Sequence, residues 1–291
     1  MKLQKNHQIL IVGLGLLGGS YAEALSGAGY HVSAITLEEE DIAYALSRGM
    51  IEKGTAGVDP TLVGAADVVI FALYPHVFKT WVKEHQQLFK TGCIITDVTG
   101  VKSCIVDEIQ TMLRSDVEFI AAHPMAGREC SGVRNADASI FKGANYVVTP
   151  SEKNTSEAIE LCEDLGRVLG FARISKLAPK EHDDIIAFVS QLTHCIAVAL
   201  MTCTPAGGEY TNRLEEYTGD SFRDLTRIAR LNDEMWSELF KLNKYALLHQ
   251  MTVFEGELNR MRSMLELDDT EGLREMMRKS TARRALFDKK L

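Results

Sequence analysis

The sequence predicts an α/β protein in which an N-terminal, doubly wound and mostly parallel sheet is followed by an all-helical C-terminal domain. Three features carry that prediction. Residues 8–35 read as strand, glycine-rich turn, helix and strand in immediate succession. Short, continuously apolar runs then recur at 67–73, 93–96, 117–122 and 146–149 with helical patterns between most of them, and runs without alternation belong to strands buried on both faces. Beyond Pro179 no stretch reads as a strand.

Taken in order, 8–12 is the first strand, 13–20 the turn and the start of a helix that runs to about Ala28, and 31–35 the second strand. The four apolar runs supply further strands of the same sheet. A helix over 156–169 and a strand over 171–175 complete the first domain. The stretches 185–201, 225–230, 235–264 and 271–287 have helical periodicity, which sets the domains at 1–177 and 178–291. The junction near 176–180 is too short to be a free linker.

Composition narrows the function classes. At 291 residues, 46% hydrophobic and 25% charged, the chain can bury two ordinary cores. A formal net charge of -8 speaks against a nucleic-acid partner, which demands concentrated Lys and Arg. The pairs Arg283-Arg284 and Lys289-Lys290 read as a solvated helix end. Six cysteines, without Cys-x-x-Cys or zinc-type His spacing, read as reduced, buried thiols of a cytoplasmic protein that holds no metal. The apolar run after Lys5 enters the glycine turn instead of a cleavage site, so no signal peptide is expected. The stretch 185–201 is interrupted by Ser190, Gln191 and His194, and reads as a buried helix that does not span a membrane.

The turn Gly13-Leu14-Gly15-Leu16-Leu17-Gly18 has the spacing of a dinucleotide site in the context that makes it informative, directly after a strand and opening a helix. Gly13 permits the tight turn, Gly15 lets the backbone approach a pyrophosphate, and Gly18 lets helix and strand pack closely. The amides of Leu16 and Leu17 at the helix start, with its dipole, favour the anion. The first domain is therefore of Rossmann type. Tyr74 and Pro75, just after the 67–73 run, join the cofactor site. Thr36 ends the second strand where an acidic residue would hold ribose hydroxyls. The acidic run Glu38 to Asp41 offers no Arg for a 2′-phosphate and repels one, which favours NAD and leaves NADP open.

In such a sheet ligands sit beyond the carboxyl ends of the strands. His123, directly after 117–122, is there, with the titration range of a general base; structural histidines are the competing reading. Asp183, Ser190 and His194 are seven and eleven residues apart, which at about 100° per residue puts them on one face of an apolar helix. That stripe is either an interhelix network or a substrate site at the domain interface. Arg223 and Arg227, four apart among apolar residues, could grip carboxylates.

In these residues the chain resembles the prephenate and arogenate dehydrogenases of tyrosine biosynthesis. The resemblance runs through Gly13 to Ser20, Asp97 to Lys102, His123-Pro124-Met125-Ala126-Gly127, His182-Asp183, Ser190 to His194, Phe222 to Ala229, Met235-Trp236 and Asn243-Lys244. It implies that His123 accepts the proton of the substrate's ring hydroxyl while hydride leaves the same carbon. It implies that Arg227 binds the ring carboxylate with Asp183 as its ionic partner. By the same resemblance His194 and Ser190 line the pocket, Arg223 stands where the family has a basic residue, and Glu129 lies near the mouth. The helical domain is similar to the family's dimerisation domain, and that resemblance implies a homodimer. Two departures are visible. The family often has Gly-Ser where this chain has Thr99-Gly100, leaving Thr99, one position earlier, as the candidate for the serine's hydroxyl. Gln191 stands where some members have histidine.

The expected function is NAD(P)-dependent oxidative decarboxylation of prephenate, with arogenate as the alternative substrate. A β-hydroxyacid dehydrogenase would need a lysine on the helix 183–201, and there is none. A non-catalytic NAD-binding dimer would use the glycine turn and leave the polar residues structural.

Overall fold

The computed structural model describes residues 2–128, 130–203 and 209–287. The first half alternates β1 (Gln8–Val12), α1 (Leu16–Gly27), β2 (His31–Thr36), α2 (Glu39–Ser47), β3 (Lys53–Ala56), α3 (Pro60–Ala65), β4 (Val68–Phe71), α4 (Pro75–His85), β5 (Ile94–Asp97), α5 (Ser103–Met112) and β6 (Glu118–Phe119). The six strands form one parallel sheet in the order β3-β2-β1-β4-β5-β6. Alternate residues feed opposite faces: Ile9, Ile11, Val68 and Ile70 lie in one apolar layer, and Leu10, Val12, Val69 and Phe71 in the other. Burial on both sides is why these strands read as unbroken apolar runs. The order reverses between β1 and β4, which opens a crevice at their carboxyl ends.

The remaining strands do not extend this sheet, contrary to the sequence reading. β7 (Ala121–Met125), β8 (Asn145–Thr149) and β9 (Arg173–Lys176) form a second sheet, with β7–β8 antiparallel and β8–β9 parallel, and α6 (Ser156–Val168) joins β8 to β9. The apolar run 117–122 is thus divided between two sheets. The physical reason lies at Asp97: its Oδ1 accepts the Ala122 N–H at 3.1 Å, and Lys102 Nζ donates to the Ala122 carbonyl. Side chains take the backbone groups with which a longer β5–β6 ladder would be built. The edge strand β3 was not legible because it is a glycine-containing, largely accessible segment without an apolar run.

The second half contains α7 (Pro179–Ile186), a π-helical segment over Ala187–Leu192, α8 (Thr193–Thr202), α9 (Asp220–Thr226), α10 (Asp233–Leu242), α11 (Lys244–Glu266) and α12 (Thr270–Arg284). The helix expected over 235–264 is two helices broken at Asn243 (φ -107°, ψ 25°), whose side chain donates to the Asp183 carbonyl and to Gln191 Oε1 at 2.9 and 2.8 Å. The expected boundary at 177/178 marks a change from mixed to helical structure; by packing, the compact units are 1–243 and 244–291. In the second unit α11 and α12 pack on each other, and Asp269 caps α12 through the Gly272 N–H at 2.9 Å.

Two expectations about burial are corrected. Pro179–Thr202 is long and apolar enough to cross a membrane by length and composition, yet within this chain it is only partly covered: Ile185, Phe188, Val189 and Met201 are 39 to 52% exposed. Cys130 and Cys203 are exposed, while burial pushes the Cys93 thiol up to about 12 and that of Cys162 to about 11.

The Asp97–Lys102 pair is fully buried and holds β5 to the start of β7. Lys102→Met should therefore lower stability by about 3–5 kcal/mol, because it strands a buried carboxylate without its cation. A urea midpoint equal to that of the parent would contradict this.

Candidate active site

The cofactor crevice follows from the glycines. Gly13 has φ +98°, and a Cβ there would meet the Ala72 carbonyl oxygen at 2.5 Å; one at Gly18 would meet the Gly13 oxygen at 1.9 Å. A Cβ at Gly15, by contrast, would meet nothing within 4 Å, so the turn faces open space at the start of α1. The N-cap of α1 is Gly15, with no side chain to satisfy the first amides, and its first turn carries no acidic residue. This fits a dinucleotide pyrophosphate held by the Leu16 and Leu17 amides. Thr36 stands at the end of β2, and Glu39, Glu40 and Asp41 open α2. Across the crevice, Tyr74 is the N-cap of α4 and Pro75 its first residue.

His123 sits mid-strand in β7 with its ring half-buried. Its Nδ1 lies 2.8 Å from Nε2 of His182, and Nδ1 of His182 lies 2.8 Å from Oδ1 of Asp183. An ionised carboxylate only accepts, so His182 carries its proton on Nδ1 and presents a bare Nε2. His123 must then donate from Nδ1, which leaves its own Nε2 as a lone pair. Burial, with the His182 ring and the Lys102 side chain nearby, holds the His123 pKa well below the ordinary imidazole value. Burial likewise lowers His182, against the pull of Asp183. For Asp183, burial would raise the pKa, but hydrogen bonds from His182, Ser103 and Lys102 outweigh it and the net shift is downward. The chain of three therefore ends in a neutral, oriented base.

Asp183 does more than orient. Its two oxygens accept the backbone N–H groups of Lys102 and Ser103, both at 2.8 Å, and so cap α5, whose own N-cap residue is a lysine. This replaces the expected Asp183–Arg227 pair: the carboxylate is taken up by a helix start and an imidazole. Thr99 is also redirected. Its hydroxyl is buried, donates to Asp97 Oδ2 with a second contact to the Val101 carbonyl at 3.1 Å, and receives Lys102 Nζ at 3.3 Å, so it does not stand in for a serine at His123. Gly100 lies on the Nε2 side of that ring: a Cβ there would be 3.8 Å from His123 Nε2.

The helical stripe is also shifted. The π-helical segment widens the turn, so Gln191 takes the inward place that straight-helix geometry gives to Ser190. Gln191 is 1% exposed and bonds the Leu239 carbonyl at 3.2 Å as well as Asn243; it is an internal tie, not a pocket wall. Ser190 uses its carbonyl to accept from the Thr193 hydroxyl and from His194 Nδ1, at 2.6 and 2.8 Å. His194 stacks on Trp236 of α10, ring centroids 3.9 Å apart. The same helix sends Leu239 to Gly100, and Glu238 to the N–H and Nδ1 of His76 at the start of α4, both at 2.8 Å. Asn232, its N-cap, donates to the Tyr74 hydroxyl at 3.3 Å. α10 thus roofs the space between crevice and base.

α9 ends at Thr226 and Arg227 begins a tighter turn; Arg223 pairs with exposed Asp220 at 3.1 Å. Arg227 is exposed in the single chain, on a turn that packs against α8. Glu129 lies outside the described residues. Sequence reasoning gave no role to His182, Lys102, Glu238 or Asn243. A lysine where α5 needs a cap, and a histidine preceding Asp183, were the available signals.

Residues 21–173 match the family model described as prephenate dehydrogenase, nucleotide-binding domain, and 178–279 the one described as prephenate dehydrogenase, dimerization domain. The chain is 29% identical to prephenate dehydrogenase of Bacillus subtilis over 272 residues, covering 93% of this chain and 73% of that protein. It is 30% identical to prephenate dehydrogenase of Lactococcus lactis over 271 residues, covering 91% and 73%. Among solved structures, prephenate dehydrogenase from Aquifex aeolicus in complex with hydroxyphenyl propionate and NAD+ superposes with a TM-score of 0.89 at 27% identity, covering 99% of this chain and 100% of that one.

His182 is buried and hydrogen-bonds both Asp183 and the His123 ring, so any effect it has on catalysis runs through His123. His182→Phe should lose a large part of the roughly 10²- to 10⁴-fold that a positioned base supplies, in kcat. KM should change little, because the pocket wall is untouched. A KM-only effect would contradict the relay.

Proposed function

The chain belongs to the prephenate dehydrogenase family, and we propose that it oxidises and decarboxylates prephenate to 4-hydroxyphenylpyruvate with His123 as the base. NAD, when bound, supplies the nicotinamide that accepts the hydride. The observation that carries the assignment is the hydrogen-bonded chain from Asp183 Oδ1 through His182 to Nδ1 of His123, which engages that nitrogen and leaves Nε2 to face Gly100.

Nε2 takes the proton of the ring hydroxyl as hydride leaves the same carbon. The resulting carbonyl draws the electrons of the bond to the ring carboxylate, which departs as carbon dioxide, and the phenolate so formed takes back the proton from His123 Nε2 to become a phenol. Gly13, Gly15, Leu16, Leu17 and Gly18 hold the pyrophosphate, with Tyr74 and Pro75 on the opposite wall. Thr36 and the acidic start of α2 favour free ribose hydroxyls over a 2′-phosphate. Arg227 holds the ring carboxylate, and His194, Ser190 and Arg223 belong to the substrate end; the family resemblance supports these four.

The partly exposed apolar face of Pro179–Thr202 and the match to a dimerization domain support a homodimer that covers this face. The working compartment we infer is the cytoplasm.

The test is the appearance of reduced cofactor when purified protein is mixed with NAD or NADP and prephenate or arogenate. NAD with prephenate should give the largest kcat/KM; turnover of arogenate alone would overturn the substrate. His123→Asn should lower kcat by roughly 10²- to 10⁴-fold, and full turnover would remove the base from His123. Arg227→Ala should act mainly on KM, since carboxylate binding is shared by ground and transition states. The working form of His123 is neutral and its pKa is depressed, so activity is lost only as pH falls through that lowered value. The acid limb of kcat/KM should therefore lie below about 6.5, the unperturbed imidazole value; a limb above it would contradict the assignment.

A further inference from the structure

We infer that Glu238 is a positioning residue that ties the cofactor crevice to the substrate end of the site, so that a ligand in one is held more tightly when the other is filled. The inference rests on the dehydrogenase reading and goes beyond it by naming the side chain that joins the two binding events.

The start of α4 lacks the means to satisfy its own first turn. Its N-cap, Tyr74, gives no side-chain cap, Pro75 has no N–H to offer, and the first turn carries no acidic residue. The first free amide is that of His76, and it is met from 162 residues away: Glu238 Oε1 accepts it at 2.8 Å, while Oε2 lies 2.8 Å from His76 Nδ1. A carboxylate suits this place twice over, since it accepts the amide and faces the positive end of the helix dipole. The Glu238 side chain is only 18% exposed, so it is not a solvated charge on the outer face of α10. A second contact lies at the other end of the same stretch. Asn232, the N-cap of α10, accepts the Met235 N–H at 2.8 Å through Oδ1 and donates through Nδ2 to the Tyr74 hydroxyl at 3.3 Å.

The residues between and beside these two contacts form the opposite wall. Trp236 stacks on His194, and Leu239, next after Glu238, lies against Gly100 and gives its carbonyl to Gln191 Nε2 at 3.2 Å. A helix cannot shift one of these sets of contacts without shifting the other. NAD against Tyr74 and Pro75, and a substrate ring against Leu239 and Trp236, therefore favour the same seating of α10, which is the condition for positive coupling.

The experiment measures NAD affinity by titration calorimetry, with and without saturating hydroxyphenyl propionate, which the Aquifex aeolicus relative holds together with NAD+. The parent should bind NAD about fivefold or more tightly in its presence, the lower end of ordinary coupling. Glu238→Ala should bring that factor to about twofold or less, acting on the factor more than on NAD affinity alone. Glu238→Gln still offers an oxygen to the His76 N–H and an amide to a neutral Nδ1, and should keep the factor. His76→Ala retains the backbone contact and should fall between. A factor unchanged in Glu238→Ala would overturn the inference, including the case in which NAD affinity falls equally with and without the second ligand, because Glu238 would then only cap α4. Absence of coupling in the parent would overturn it too. Prephenate turnover by the parent separates this claim from the function: turnover with the factor unchanged in Glu238→Ala removes the tie and leaves the dehydrogenase, and no turnover with either cofactor removes both.

Discussion

Asp183 is the point at which the sheet half and the helical segment that follows it become one site. One carboxylate, 5% exposed, takes two backbone amides of α5 and the Nδ1 proton of His182. A buried carboxylate must be matched by donors, and here three donors arrive from elements about 80 residues away in sequence or from its immediate neighbour. The consequence reaches the chemistry in two steps, since the acceptor end of His182 dictates which nitrogen of His123 holds the proton. Without Asp183 the tautomer of both rings would be free to exchange, and α5 would begin with unsatisfied amides.

A second constraint works beside it. Asp97 and Lys102, both at 0% exposure, decide where the main sheet stops and the strand of His123 starts. The base is therefore placed by a polar network and not by the apolar core, and such a network tolerates no partial loss. α10 closes the arrangement through Glu238, Trp236 and Leu239, whose carbonyl accepts from Gln191.

Much of this was legible from residue order. The glycine turn needs its local context only, so the first βαβ unit and the cofactor crevice could be located from 8–36. His123 was singled out because strand ends are where such sheets bind ligands, but the structure sets it mid-strand in β7 of the second sheet. What could not be read depended on tertiary donors. Thr99 was the candidate for the family serine's hydroxyl by its position in a motif, but its hydroxyl turns inward to Asp97. Ser190 and Gln191 exchange places because the π-helical segment alters the angle per residue, which straight-helix arithmetic does not anticipate. The division of 117–122 between two sheets depends on side chains at 97 and 102, which no apolar pattern reports.

The central claim is a statement about one proton: at neutral pH, His123 carries it on Nδ1 and not on Nε2. Nitrogen-15 spectra of the labelled imidazoles measure this directly. The Asp183–His182–His123 chain predicts a protonated Nδ1 and an unprotonated Nε2 for His123; a protonated Nε2 at neutral pH, in either the other tautomer or the imidazolium, would contradict it.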